Sequence, residues 1–148
     1  MLERNEQPKK YSARITMIDT KPSMERYVQK FLAAYPHIDF RIQPLGMEVS
    51  PFYDKFIDDS VRRFNPDLFL TEIYVGEGIN FSVLRHYLDT FPNLPVVCCS
   101  KFISFSGAGR GNYERALKYG AVAALPKIPF PSALDILRYV PGLERHLL

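Results

Sequence analysis

The sequence predicts an α/β fold, a five-stranded parallel sheet with helices on both faces. Three observations carry this. Short apolar runs alternate with segments of helical periodicity, five times in succession. Such alternation implies parallel strands buried under helices on each side. Polar residues also close the runs: Asp19 after residues 14–18, Glu72 after 66–71, and Ser100 after 95–99. Lys127 follows the run 121–125. In open parallel sheets, sites form beyond the carboxyl ends of the strands. An acid, an acid, a hydroxyl and an ammonium therefore converge on one edge.

The elements follow in order. Residues 1–11 are expected to be a polar, frayed N-terminal tail, and residues 12–148 the domain. The first strand spans 13–18. Pro22 and Ser23 suit a helix start. Met24, Val28, Phe31, Leu32 and Tyr35 recur at helical spacing, and Pro36 ends that helix. The second strand spans 38–42, and Pro44-Leu45-Gly46 breaks it. A second helix fits 52–64, with Phe52, Phe56, Val61 and Phe64 inward. Asn65-Pro66 closes it, and the strand 68–72 follows. Val75-Gly76-Glu77-Gly78 reads as a loop. Asn80 can cap a third helix carrying Phe81, Leu84 and Leu88. Phe91-Pro92-Asn93 ends it before the strand 96–99. A Gly-rich loop runs from Ser104 through Gly111. Asn112 is expected to cap a helix over 113–119 that stops at Gly120. The fifth strand spans 121–125. Pro131-Ser132 opens the last helix, which Pro141-Gly142 interrupts.

Composition bounds the function. A chain of 148 residues is one domain of ordinary size, able to bury a core without staples. Hydrophobic residues at 47% and charged residues at 24% suit a globular protein. The net charge of +3 is mild and its basic residues are scattered, so direct nucleic-acid binding is not expected. Cys98 and Cys99 are adjacent in an apolar strand. This is neither a disulfide framework nor a metal spacing, and it reads as two small hydrophobes in a reduced core. No apolar run is long enough to span a membrane. The polar N-terminus carries no signal-peptide pattern. A cytoplasmic location is the expectation.

Three segments resemble one known family, the receiver domains of two-component response regulators. They are Ile18-Asp19-Thr20-Lys21-Pro22-Ser23-Met24, the run from Asn65 to Ile73, and the run from Ala116 to Lys127. With the element order, the resemblance covers roughly residues 13 to 140 and implies a receiver (flavodoxin-like) fold. It implies roles residue by residue. Asp19 and Thr20 match the acid pair that holds Mg²⁺, with one acid missing. Glu72 stands at the phosphoacceptor position, normally Asp. Ser100 matches the hydroxyl that senses the phosphoryl group, and Lys127 the ammonium that pairs with it. Ala124 stands at the aromatic switch position and has no ring. Gly76 replaces a common Pro, and Ile128 separates the lysine from Pro129.

These departures have chemical consequences. Phosphoryl transfer needs in-line geometry and a divalent ion to offset charge. Mg²⁺ requires near-octahedral oxygen ligands, so metal binding at Asp19 is expected to be weak and no cofactor is expected. Glu72 is one methylene longer than Asp, and a displacement of about 1 Å can cost on the order of 10²-fold in rate. Glu72 is instead expected to pair with Lys127, with Ser100 as a hydrogen-bond donor. The reading is an atypical receiver, not an enzyme, that acts through protein contacts in two-component or phosphorelay signalling. Its expected partners are a histidine kinase, another receiver or an effector domain. The resemblance also implies a homodimer face that includes Tyr113, Lys118, Leu134 and Arg138. Two alternatives stand beside it. One is a phosphorylation-competent, Mg²⁺-dependent receiver. The other is a small α/β nucleotide or phosphate binder using the Gly-rich loop and Arg110. That loop lacks the Lys-Ser/Thr of a P-loop. His37, His86 and His146 have no metal or dyad spacing, and Asp58-Asp59 reads as a solvated helix face.

Overall fold

The computed structural model describes residues 11–19, 25–44, 55–75, 78–127 and 131–148. Five parallel strands form the sheet: β1 (Ala13–Asp19), β2 (Ile38–Pro44), β3 (Leu68–Thr71), β6 (Val96–Ser100) and β7 (Ala123–Pro126). A two-stranded antiparallel hairpin, β4 (Tyr74–Val75) and β5 (Gly78–Ile79), follows β3. The sheet order is β2-β1-β3-β6-β7. The chain therefore winds outward one way from β1 and then reverses. The helices are α1 (Glu25–Ala34), α2 (Lys55–Phe64), α3 (Phe81–Thr90), α4 (Arg110–Tyr119) and α5 (Ala133–Leu137).

Alternation along the strands divides the core into two layers. Ile15, Met17, Leu68, Leu70, Val97 and Cys99 face one way. They pack with Val28 and Phe31 of α1, with Tyr35 just after it, and with Ile136 and Leu137 of α5. Ile18, Phe69, Val96 and Cys98 face the other way, against Ile57 and Val61 of α2, Leu84 and Tyr87 of α3 and Ala116 of α4. Every residue of β3 and β6 is buried, which is why these runs are apolar up to their last residues, Thr71 and Ser100.

Local signals set most boundaries. Asn65 takes φ 52° after α2, a left-handed stop that Asn tolerates, and Pro66 forbids continuation. The Asn80 side chain accepts from Ser82 N–H at 2.9 Å and caps α3. Ser132 Oγ accepts from Asp135 N–H at 3.2 Å and caps α5. Gly120 ends α4 at φ 120°.

Several expectations are corrected. Tyr11 is not part of a tail: it is buried, bridges Leu147 and lies 6.2 Å from the Tyr35 ring. Its aromatic surface is worth more in the core than in water. β2 continues through Pro44, because an edge strand can spare one N–H. The segment after Glu72 forms the β4–β5 hairpin rather than an open loop. α4 begins at Arg110, after a 3₁₀ turn at Gly107–Gly109, and Asn112 does not cap it. Asn112 Nδ2 donates to the Phe102 carbonyl instead, at 3.0 Å. A Cβ on Gly109 would meet Ser104 N at 2.7 Å and Phe102 O at 2.9 Å, so this entry requires glycine. Asp58 is not solvated. It is 8% exposed and bonded to His86 Nε2 at 2.9 Å, tying α2 to α3. The expected helix start at 52 and its inward Phe52, the Gly46 break, and Met24 lie outside the described residues.

Candidate functional site: a buried ion pair at the carboxyl edge of the sheet

Four strands deliver the site. Glu72 directly follows β3, and its N–H donates to the Ile18 carbonyl of β1 at 3.1 Å. Lys127 directly follows β7, and its N–H donates to the Ser100 carbonyl of β6 at 3.1 Å. Ladder bonds thus extend one residue past each strand and fix both Cα positions. Asp19 ends β1.

The side chains of Glu72 and Lys127 meet. Lys127 Nζ donates to Glu72 Oε2 in a buried ion pair. Glu72 Oε1 accepts from Ile73 N–H and Tyr74 N–H, both at 2.9 Å. The two residues are 1% and 3% exposed. A carboxylate so buried is tolerable only because the ammonium and two N–H groups replace its hydration. The Thr71 hydroxyl donates to the Glu72 carbonyl at 3.1 Å and fixes the turn out of β3.

Ser100 is fully buried at the end of β6. Its hydroxyl oxygen accepts from Phe102 N–H at 3.2 Å, and the expected donation to Glu72 is not made: the Glu72 carboxylate takes its bonds from Ile73, Tyr74 and Lys127 instead. The Tyr74 and Phe102 rings stack 4.8 Å apart, joining the loop after β3 to the loop after β6. The Lys101 ammonium lies over both rings, at 5.7 and 5.2 Å. Cys98, next to this site, has its thiol pKa pushed well up. Burial is the main cause, followed by the Glu72 carboxylate and Cys99, while Lys127 partly offsets them.

The other expected residues fall as follows. Ala124 is buried in β7, in register with Cys98, and contributes only a methyl group. Thr20 and the Asp19 side chain lie outside the described residues. Arg110 pairs with Glu114 at 3.0 Å on the exposed surface of α4, so the Gly-rich segment serves as a helix entry. Among the described residues, no group of three or more His, Cys, Asp or Glu could hold a metal ion. The Mg²⁺ that the resemblance implies does not fit the donors around Glu72. Both carboxylate oxygens are engaged, Oε1 by two backbone N–H groups and Oε2 by the Lys127 ammonium, so neither is presented as a free Mg²⁺ ligand. The sequence reading missed the Tyr74–Phe102 stack. Its only sequence signal is an aromatic residue two positions after Glu72 and another two positions after Ser100.

No protein-family profile matches the chain, and no curated protein matches it. Solved structures do. The receiver domain of a Francisella response regulator aligns with a TM-score of 0.61 at 19% identity, over 86% of this chain and 93% of that one. The N-terminal signal receiver domain of a two-component response regulator from Bacteroides fragilis aligns with a TM-score of 0.62 at 19% identity, over 87% and 93%. The isolated receiver domain of RcsB from Salmonella enterica serovar Typhimurium, with a phosphomimetic beryllofluoride, aligns with a TM-score of 0.60 at 11% identity, over 90% and 89%. The chain has the fold of response-regulator receiver domains. No described helix is long and apolar enough to cross a membrane.

Proposed function

We propose that this chain is an atypical receiver module of two-component or phosphorelay signalling that works through protein contacts, without phosphoryl transfer at Glu72. The buried Glu72–Lys127 pair is the observation that carries this reading. In the receiver fold, this edge of the sheet is where an acceptor carboxylate and a lysine stand. Here the longer carboxylate already reaches the ammonium and takes two backbone N–H bonds besides. An entering phosphoryl group would have to displace all three. The lysine therefore has the partner that phosphorylation would otherwise supply.

Magnitude supports a fixed state. Removing one partner of a buried pair costs roughly 3–5 kcal/mol, a bias of about 10²–10⁴ in favour of a conformation that keeps it. Ala124 removes the ring whose rotation would relay a change from Ser100. With no second arrangement to populate, a ligand or modification has nothing to shift. The output is then constitutive docking. The face built from α4, β7 and α5 suits it, with Leu134 58% exposed beside Arg138, and Tyr113 and Lys118 on α4. A histidine kinase, another receiver, an effector domain or a second copy of the chain would dock there.

The test is intact-mass spectrometry after incubation with acetyl phosphate and Mg²⁺, on the wild type and on Glu72→Asp. The expected result is no phosphoryl adduct on the wild type. An adduct on the wild type that Glu72→Gln abolishes would overturn the reading and restore a phosphorylated receiver. An adduct on Glu72→Asp alone would show that the side-chain length is what silences the site.

A further inference from the structure

At the opposite end of the sheet lies a polar cleft of about 510 Å³. Arg14, Asp39, Arg41, Ser60, Arg63 and Phe64 line it. Three elements contribute. Arg14 comes from β1, Asp39 and Arg41 from β2, and the rest from the last turns of α2. Strand register explains the clustering. Arg14 pairs with Asp39, and Thr16 with Arg41, so these side chains share one face of two adjacent parallel strands.

The cleft holds more positive charge than its own partners neutralise. Arg41 is committed: it pairs with Asp39 at 3.2 Å and lies 4.1 Å from the centre of the Phe64 ring. Both contacts fix its guanidinium at the wall. Asp67, the nearest other carboxylate by hydrogen bonding, accepts from the Arg14 backbone N–H at 2.8 Å and does not line the cleft. Asp59 is taken by Arg62 on the helix surface. Among the described residues, neither the Arg14 nor the Arg63 guanidinium has a hydrogen bond or ion pair, and both are exposed. An arginine in the last turn of a helix has an ordinary reason to be there, since it offsets the carbonyl end of the dipole. That reason accounts for Arg63. It does not account for Arg14, which is on a strand and reaches the same cleft.

We infer that this cleft is a binding site for a small dianion with phosphoryl or carboxylate oxygens. Guanidinium forks present paired N–H donors that match such oxygens, and two uncommitted arginines match two negative charges. The Ser60 hydroxyl lies in the same wall. The volume suits a small ligand better than a long acidic segment. The site shares no residue with the Glu72–Lys127 pair, so the two readings stand or fall separately.

Isothermal titration calorimetry on the full chain tests this, with pyrophosphate and succinate as separate probes at constant ionic strength. Saturable binding of either probe is expected, weakened about tenfold or more by Arg14→Gln and by Arg63→Gln. Both positions are exposed, so folding should be retained, and circular dichroism checks it. The probe that binds identifies the oxyanion. Glu72→Gln should leave the binding unchanged. No heat from either probe, or equal binding by the arginine variants, would overturn the inference. Binding of an oligoglutamate peptide with neither small probe would also overturn it, in favour of a protein segment as ligand.

Discussion

Replacing Lys127 by Met deletes one charge and keeps an unbranched side chain one atom shorter. Glu72 then stays buried at 1% exposure with only the two N–H bonds from Ile73 and Tyr74 to hold its charge. Breaking a buried pair in this way costs roughly 3–5 kcal/mol. For a domain of this size, about 2–4 °C of melting temperature is lost per kcal/mol, so the midpoint should fall by roughly 6–20 °C. The double variant Glu72→Gln/Lys127→Met removes both charges. Gln keeps an oxygen that can accept from Ile73 N–H and Tyr74 N–H. The double variant should therefore recover to within about 1–2 kcal/mol of the wild type, because paired buried charges are close to neutral against well-packed neutral groups. Urea unfolding followed by circular dichroism measures all four corners of this cycle. If each single variant costs under about 1 kcal/mol and the changes simply add, the pair behaves like an exposed one and the reasoning fails.

Three further outcomes follow from other parts of the molecule. Cys98 should resist thiol reagents at pH 8, reacting no faster than global unfolding, because burial and the Glu72 carboxylate raise its pKa. The same shift favours the protonated thiol in the folded state. Its contribution to stability is complete below the ordinary thiol value of about 8.5 and is lost as pH rises above it, by up to about 1.4 kcal/mol per pH unit. Cys98→Ala should flatten that alkaline fall in a pH series of urea midpoints. His86→Ala should cost roughly 1.5–3 kcal/mol in the same unfolding assay, because it strips the buried Asp58 of its ring partner.

The sequence made the alternation of strands and helices and the polar strand ends readable for a physical reason. Strands buried on both faces admit few polar residues, so Asp19, Glu72, Ser100 and Lys127 stand out where the chain leaves the sheet. The Glu72–Lys127 pairing was legible because opposite charges follow β3 and β7, whose ends lie one strand apart at the same edge of the sheet. Interactions set by tertiary contact were not legible. Asp58 looks like any helix-surface acid until α3 places His86 against it. Tyr11 belongs to the core only because the chain's last residues return to it, with Ser12 N–H donating to the His146 carbonyl at 2.8 Å. The start of α4 escaped the sequence because Asn112 looks like a cap. Gly109, three residues earlier, is held by a close approach to Phe102 and Ser104 that no local pattern reveals. The β4–β5 hairpin is too short for periodicity to register.

The most direct measurement is an amide ¹⁵N–¹H NMR spectrum of the wild type before and after addition of Mg²⁺ with beryllofluoride, a phosphoryl mimic. With Glu72 already satisfying Lys127, the expected result is an unchanged spectrum, including the amides of Ser100, Lys127 and α4. A saturable set of shifts that starts at Glu72 and Lys127 and spreads to α4 and α5 would show a working, switchable pocket and would contradict the constitutive pair.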